Sequence, residues 1–104
     1  MASFETVWDY IQVNLKPGTE VKNWTAYSGY LGDKMTIMKV RDSYIEVDTP
    51  KTMTYQGVPK KDFEGVWEVW SGYKSQRVRR MELTPITRYS KYIISILHWY
   101  EVGN

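Results

Sequence analysis

The sequence predicts an α+β fold on three observations. Phe63, Val66, Trp67, Trp70 and Tyr73 recur at spacings of three and four, which puts them in one stripe of an α-helix. Residues 35–40 and 44–48 are rich in β-branched and apolar side chains on either side of Arg41-Asp42-Ser43, the pattern of a β-hairpin. Phe4, Val7, Trp8, Ile11 and Leu15 fall at helical spacing ahead of both. The expected architecture is an N-terminal helix, a small antiparallel sheet of three to four strands, the aromatic amphipathic helix packed on it, and a C-terminal helical region. At 104 residues the chain is expected to form a single domain over 1–104 and to bury roughly two-thirds of its unfolded surface.

The first helix is expected over 3–15, with Ser3 capping its first turn and Lys16-Pro17-Gly18 ending it. Residues 19–32 are mixed: Val21 and Trp24 suit a short strand, and Ala26-Tyr27-Ser28-Gly29-Tyr30-Leu31-Gly32 a turn or bulge. The hairpin follows, with Pro50 ending its second strand. Residues 53–58 offer a further strand into the central helix, predicted over 59–73 with Pro59 in its first turn and Gly72 at its termination. Val78, Met81 and Glu82 suit a turn or two of helix over 78–83, before Pro85. The last segment, with Ser90 as cap, reads as a helix over 90–100 with Ile93, Ile96, Leu97 and Tyr100 on one side; Tyr-Ile-Ile-Ser-Ile-Leu is also strand-like, so a strand is the alternative.

Composition bounds the chemistry. No cysteine is present, which excludes disulfides and thiolate chemistry and removes the best zinc ligands. Five Trp and nine Tyr point to a core of large rings whose N–H and O–H groups reach its edge. With no apolar run of about 18 residues and no signal-peptide pattern, a soluble, cytoplasmic protein without membrane partners is expected, and the sequon Asn23-Trp24-Thr25 then carries no sugar. The net charge of +2 is unevenly spread: residues 74–91 hold Lys74, Arg77, Arg79, Arg80, Arg88 and Lys91 against Glu82, giving +5, and the rest of the chain −3. An anionic partner would select such an asymmetry; a merely solvated charged surface is the competing reading.

Lys61-Asp62-Phe63-Glu64 opening the aromatic helix, Arg80-Met81-Glu82-Leu83, and Thr87-Arg88-Tyr89-Ser90-Lys91-Tyr92-Ile93-Ile94-Ser95-Ile96-Leu97 together resemble a pattern in small bacterial proteins, including products of the mobile gene cassettes of integrons. The resemblance covers the second half of the chain. It implies a small α+β protein, often oligomeric and of unassigned role, and supplies no catalytic residues.

Three candidate surfaces emerge. Residues 78–83, a turn and 90–100 have the outline of a helix-turn-helix, with Thr87, Arg88, Tyr89, Ser90 and Lys91 at the leading end of its second helix and Arg77, Arg79 and Arg80 on phosphates. Arginine suits this because it meets a phosphate or a guanine edge with two parallel hydrogen bonds. The long, proline-containing connection and the apolar second helix argue against it. Ile93, Ile94, Ile96, Leu97, Trp99 and Tyr100 form a candidate interface for a homo-oligomer, unless the helix is central and covered on both sides. Trp24, Tyr27, Tyr30, Trp67 and Trp70 form a candidate aromatic pocket for an apolar or cationic small molecule, against plain core packing. No catalytic, metal or cofactor motif is present: His98, the only histidine, has no carboxylate three or four residues before it, and Glu101 follows three after. A non-enzymatic binding protein is expected, with nucleic acid favoured by the basic segment, and an oligomeric interaction module or small-molecule binder as the alternative.

Overall fold

The computed structural model describes residues 2–49 and 54–103. Helix α1 (Phe4–Asn14) leads into strands β1 (Glu20–Thr25), β2 (Gly29–Val40), β3 (Tyr44–Asp48) and β4 (Gln56–Pro59). Helices α2 (Lys60–Glu68) and α3 (Trp70–Lys74), a 3-10 turn (Arg80–Leu83) and helix α4 (Ser90–Val102) follow. The four strands form one antiparallel meander in the order β1-β2-β3-β4. The fold is α+β as expected, with helices packed on the sheet.

Period-two alternation decides which face of the sheet is covered. Val21, Met35, Ile37, Ile45, Val47 and Val58 are buried, in one contiguous core with the stripes of α1 (Phe4, Val7, Trp8, Ile11) and α2 (Phe63, Val66, Trp67). Three indoles of this core donate outward, as their polar edges require. Trp8 Nε1 reaches the Asp42 carbonyl at 3.0 Å, Trp67 Nε1 the Ala2 carbonyl at 3.1 Å and Trp70 Nε1 the Glu101 carboxylate at 3.0 Å. The N-terminal helix is thereby tied to the β2–β3 turn, and α3 to the C-terminal helix.

Ser3 caps α1 through its hydroxyl, which accepts the Thr6 N–H. The hairpin closes on Arg41-Asp42-Ser43 through the Arg41 N–H to the Tyr44 carbonyl, 2.9 Å. Several expectations need correction. Strand β2 begins at Gly29, so only Ala26, Tyr27 and Ser28 form the turn, while Gly29 to Gly32 belong to the ladder with β1. No side chain from Gly29 to Lys34 is buried, so the alternation that marks a strand in sequence is missing there. The central helix is broken at Val69, which leaves helical geometry (φ −113°, ψ 12°), and Gly72 lies inside α3 instead of ending it. The Gly72 position is bare because a Cβ there would stand 2.8 Å from Val78 Cγ2. Pro59 is the last residue of β4 and the cap residue of α2. Residues 78–83 hold a single 3-10 turn over Arg80–Leu83. The C-terminal segment is helix, not strand, and ends on Gly103 in the left-handed region (φ 72°). Ser90 does not cap it: Tyr89 holds that position, and the Tyr89 N–H is taken by Thr87 Oγ1 at 2.9 Å. Pro50 and Met53, expected at strand ends, lie outside the described residues.

Candidate functional site

Helix α4 is the element against which the candidate site is framed. Ile93, Ile94, Ile96 and Leu97 have no exposure at all, and Ser95 has 1%. The helix lies centrally between β1 and the other helices and offers no broad apolar face. The interface expected on Ile93, Ile96 and Leu97 is therefore interior, and Tyr100 packs in the monomer against Trp67 and Tyr10 with ring centroids 6.0 and 5.2 Å away. The same burial removes the helix-turn-helix. Its first helix is one 3-10 turn, its second is the core helix, and Thr87 is buried with its hydroxyl donating to Asp62 at 2.8 Å.

The seam between α4 and β1 is polar, at a bulge between Lys22 and Trp24. The bulge frees the Trp24 N–H, which donates to Ser95 Oγ at 3.1 Å, while the Ser95 hydroxyl donates back along its own helix to the Lys91 carbonyl at 3.1 Å. Asn23 Nδ2 donates to Asp33 Oδ1 at 2.8 Å, and Lys91 Nζ to Asp33 Oδ2 at 3.2 Å. The Asn23 amide, aided by Lys91, holds the Asp33 carboxyl below its ordinary range.

The six basic residues of 74–91 therefore have different fates. Lys91 is joined to Asp33, and Lys74 to Glu101 at 2.9 Å. Arg88 donates to the Tyr89 hydroxyl at 2.9 Å with its guanidinium 5.1 Å from that ring; this hydrogen bond raises its pKa further. Arg77 Nε donates to Ser75 Oγ at 3.0 Å. Among the described residues the guanidinium groups of Arg77, Arg79, Arg80 and Arg88 form no ion pair with a carboxylate, while the Glu82 carboxylate caps the 3-10 turn by accepting the Arg79 backbone N–H at 2.7 Å.

Arg79 and Arg80 line a cleft of about 610 Å³ between the β1–β2 tip and the loop after α3. Tyr27, Ser28 and Leu31 line it from the β1–β2 strand pair and its turn, Gln76, Val78 and the two arginines from the chain after α3, and the nearly buried Tyr73 of α3 lines it as well. Two hydrogen bonds fix its width: the Ala26 N–H donates to Tyr73 Oη at 3.2 Å, and Gln76 Nε2 donates to the Ala26 carbonyl at 3.3 Å. Gln76 itself is held at φ 65°, a left-handed conformation that costs a side-chain-bearing residue about 1–2 kcal/mol. The chain accepts this because it turns there to deliver Val78 and the arginines. The Arg77 and Val78 N–H groups both return to the Gly72 carbonyl, at 2.9 and 3.0 Å.

The aromatic set is divided too, and the five rings of the candidate pocket are not brought together. Trp67 and Trp70 are core residues at 5% and 0% exposure. Trp24 stacks on His98 (centroids 3.9 Å, interplanar angle 5°), and Tyr30 Oη lies 3.0 Å from His98 Nε2. Only Tyr27 reaches the cleft, 87% exposed. Burial pulls the His98 pKa below its ordinary value, with Glu101 opposing. Among the described residues no three His, Asp or Glu side chains gather to hold a metal ion, and no helix is long and apolar enough to cross a membrane.

Comparison with protein-family models, with curated proteins and with solved structures found no match.

Proposed function

We propose that this chain is a non-enzymatic binding protein that takes nucleic acid at the cleft between the β1–β2 tip and the 76–80 loop. One observation carries the reading: the guanidinium groups of Arg79 and Arg80, in no ion pair among the described residues, flank a preformed cleft beside an exposed tyrosine. Guanidinium groups left unneutralised inside a concavity attract polyanions and pair bidentately with phosphate. The cleft volume lies in the range of ligand sites. A non-catalytic role is supported by His98, whose ring is occupied in stacking and hydrogen bonding.

Fluorescence anisotropy of labelled DNA, titrated from 50 to 200 mM salt, tests the reading. Affinity is expected to fall steeply with salt, and Arg79→Ala/Arg80→Ala to flatten the logarithmic salt slope by about 1.4 to 1.8. Absence of binding at low salt, or binding indifferent to both arginines, overturns it. A second reading rests on the apolar part of the same cleft, Tyr27, Leu31 and Val78: a binder of small organic molecules, whose affinity would hardly change with salt.

A further inference from the structure

We infer that the cleft takes an unpaired nucleotide of a single strand, its base stacked on Tyr27 and its flanking phosphates on Arg79 and Arg80; this rests on the nucleic-acid reading above. The shape of the surface argues for it first. The major groove of a duplex, about 12 Å wide, is read by a projecting element, an α-helix or a two-stranded ribbon. Neither projects from the basic surface around the cleft. Helix α4 is interior, the Arg80–Leu83 turn is four residues long, and the β1–β2 ribbon is held against α3 and the loop after it by the Ala26–Tyr73 and Gln76–Ala26 hydrogen bonds. The basic surface is concave, and what enters a concavity is a base already out of its stack.

The chemistry of the walls is the second argument. Tyr27 is a large ring at the β1–β2 turn, 87% exposed. Leu31 at 47% exposure and Val78 add apolar surface nearby, and the arginines bring the positive charge. A flat apolar group carrying phosphate matches all three properties. Stacking is indifferent to base identity because each base has a π face, so the site should bind without strong sequence preference.

The test uses the full chain, labelled single-stranded and duplex DNA of one length, and the variants Tyr27→Ala and Tyr27→Trp. Single strand is expected to bind more tightly than duplex. Tyr27→Ala should weaken single-strand binding about 5- to 150-fold, the contribution of one base–aromatic stack, without changing the salt slope, and Tyr27→Trp should restore it. Tyr27 is exposed, so neither variant threatens the fold; unchanged thermal melting checks this. Equal affinity for duplex, or indifference to Tyr27→Ala while Arg79→Ala/Arg80→Ala still flattens the salt slope, overturns the single-strand inference and leaves the nucleic-acid reading standing. A mononucleotide that competes as well as the oligonucleotide also overturns it, because a strand is then not what the cleft selects. No binding of either form removes both.

Discussion

At the scale of the residue, the most informative side chains are those whose polar atoms have been given to the fold. His98 is stacked on Trp24, bonded to Tyr30 and partly withdrawn from water, so burial lowers its pKa against the opposing pull of Glu101. The unfolded chain then takes up this proton at a higher pH than the folded one. Above the ordinary histidine value of about 6.5 both states are neutral and the stability is intact; as pH falls through that value it declines, until the folded imidazole is itself protonated. Melting temperature should therefore drop on acidification from pH 7.5 to 5.5. In His98→Asn this drop should be smaller, and an equal drop in wild type and variant would mean that other groups cause it. Lys91 and Thr87 illustrate the same allocation: residues that sequence marks as polar and basic are committed to Asp33 and Asp62. The Arg79 and Arg80 guanidinium groups, by contrast, are in no ion pair among the described residues and Tyr27 is 87% exposed, which singles them out.

At the scale of the element, small residues fix how the helices approach their neighbours. A Cβ on Gly65, in the middle of α2, would stand 2.5 Å from Ile86 Cγ2, so the 84–87 turn lies directly on bare helix backbone. Alanine is the better helix former by about 1 kcal/mol, yet overpacking costs typically 1–3 kcal/mol. Gly65→Ala should thus be destabilising by up to about 2 kcal/mol in chemical denaturation. In an Ile86→Ala background, where the obstructing methyl is gone, the same substitution should become neutral or stabilising. If Gly65→Ala costs the same in both backgrounds, the approach of Ile86 is not what keeps the position bare. The stripe from Phe63 to Tyr73 is legible in sequence, but the interruption at Val69 is not. It shows in the Val69 backbone (φ −113°, ψ 12°), and the indoles on either side of it, Trp67 and Trp70, donate to groups as far apart in sequence as Ala2 and Glu101.

At the scale of the whole molecule, the seam between β1 and α4 joins residues more than 70 apart in sequence, Trp24 to Ser95. Ser95 is 1% exposed and is the acceptor for a backbone N–H that the bulge has withdrawn from the ladder. Ser95→Ala should leave that N–H buried without a partner, a loss of about 1–3 kcal/mol, read as a lower denaturant midpoint. A change within experimental error would show that water or the strand resatisfies it. Because α4 fills the centre, loosening this seam should act on the global transition and not on a fraying end.

Sequence alone determined the α+β class, the β2–β3 hairpin and the amphipathic stripes of the first and central helical stretches, because each depends on a local period in which neighbouring side chains report one face; whether the last segment is helix or strand was settled by the tertiary structure. The +5 segment was also legible, since charge is counted without coordinates. Tertiary structure alone decided which of those charges remain without a carboxylate partner among the described residues. The acids that neutralise Lys74 and Lys91, Glu101 and Asp33, lie 27 and 58 residues away, and no local pattern encodes such pairings. The cleft is of the same kind: Tyr27 and Arg79 come together because Tyr73 and Gln76 grip Ala26, and a contact across some fifty residues is set by packing, not by periodicity.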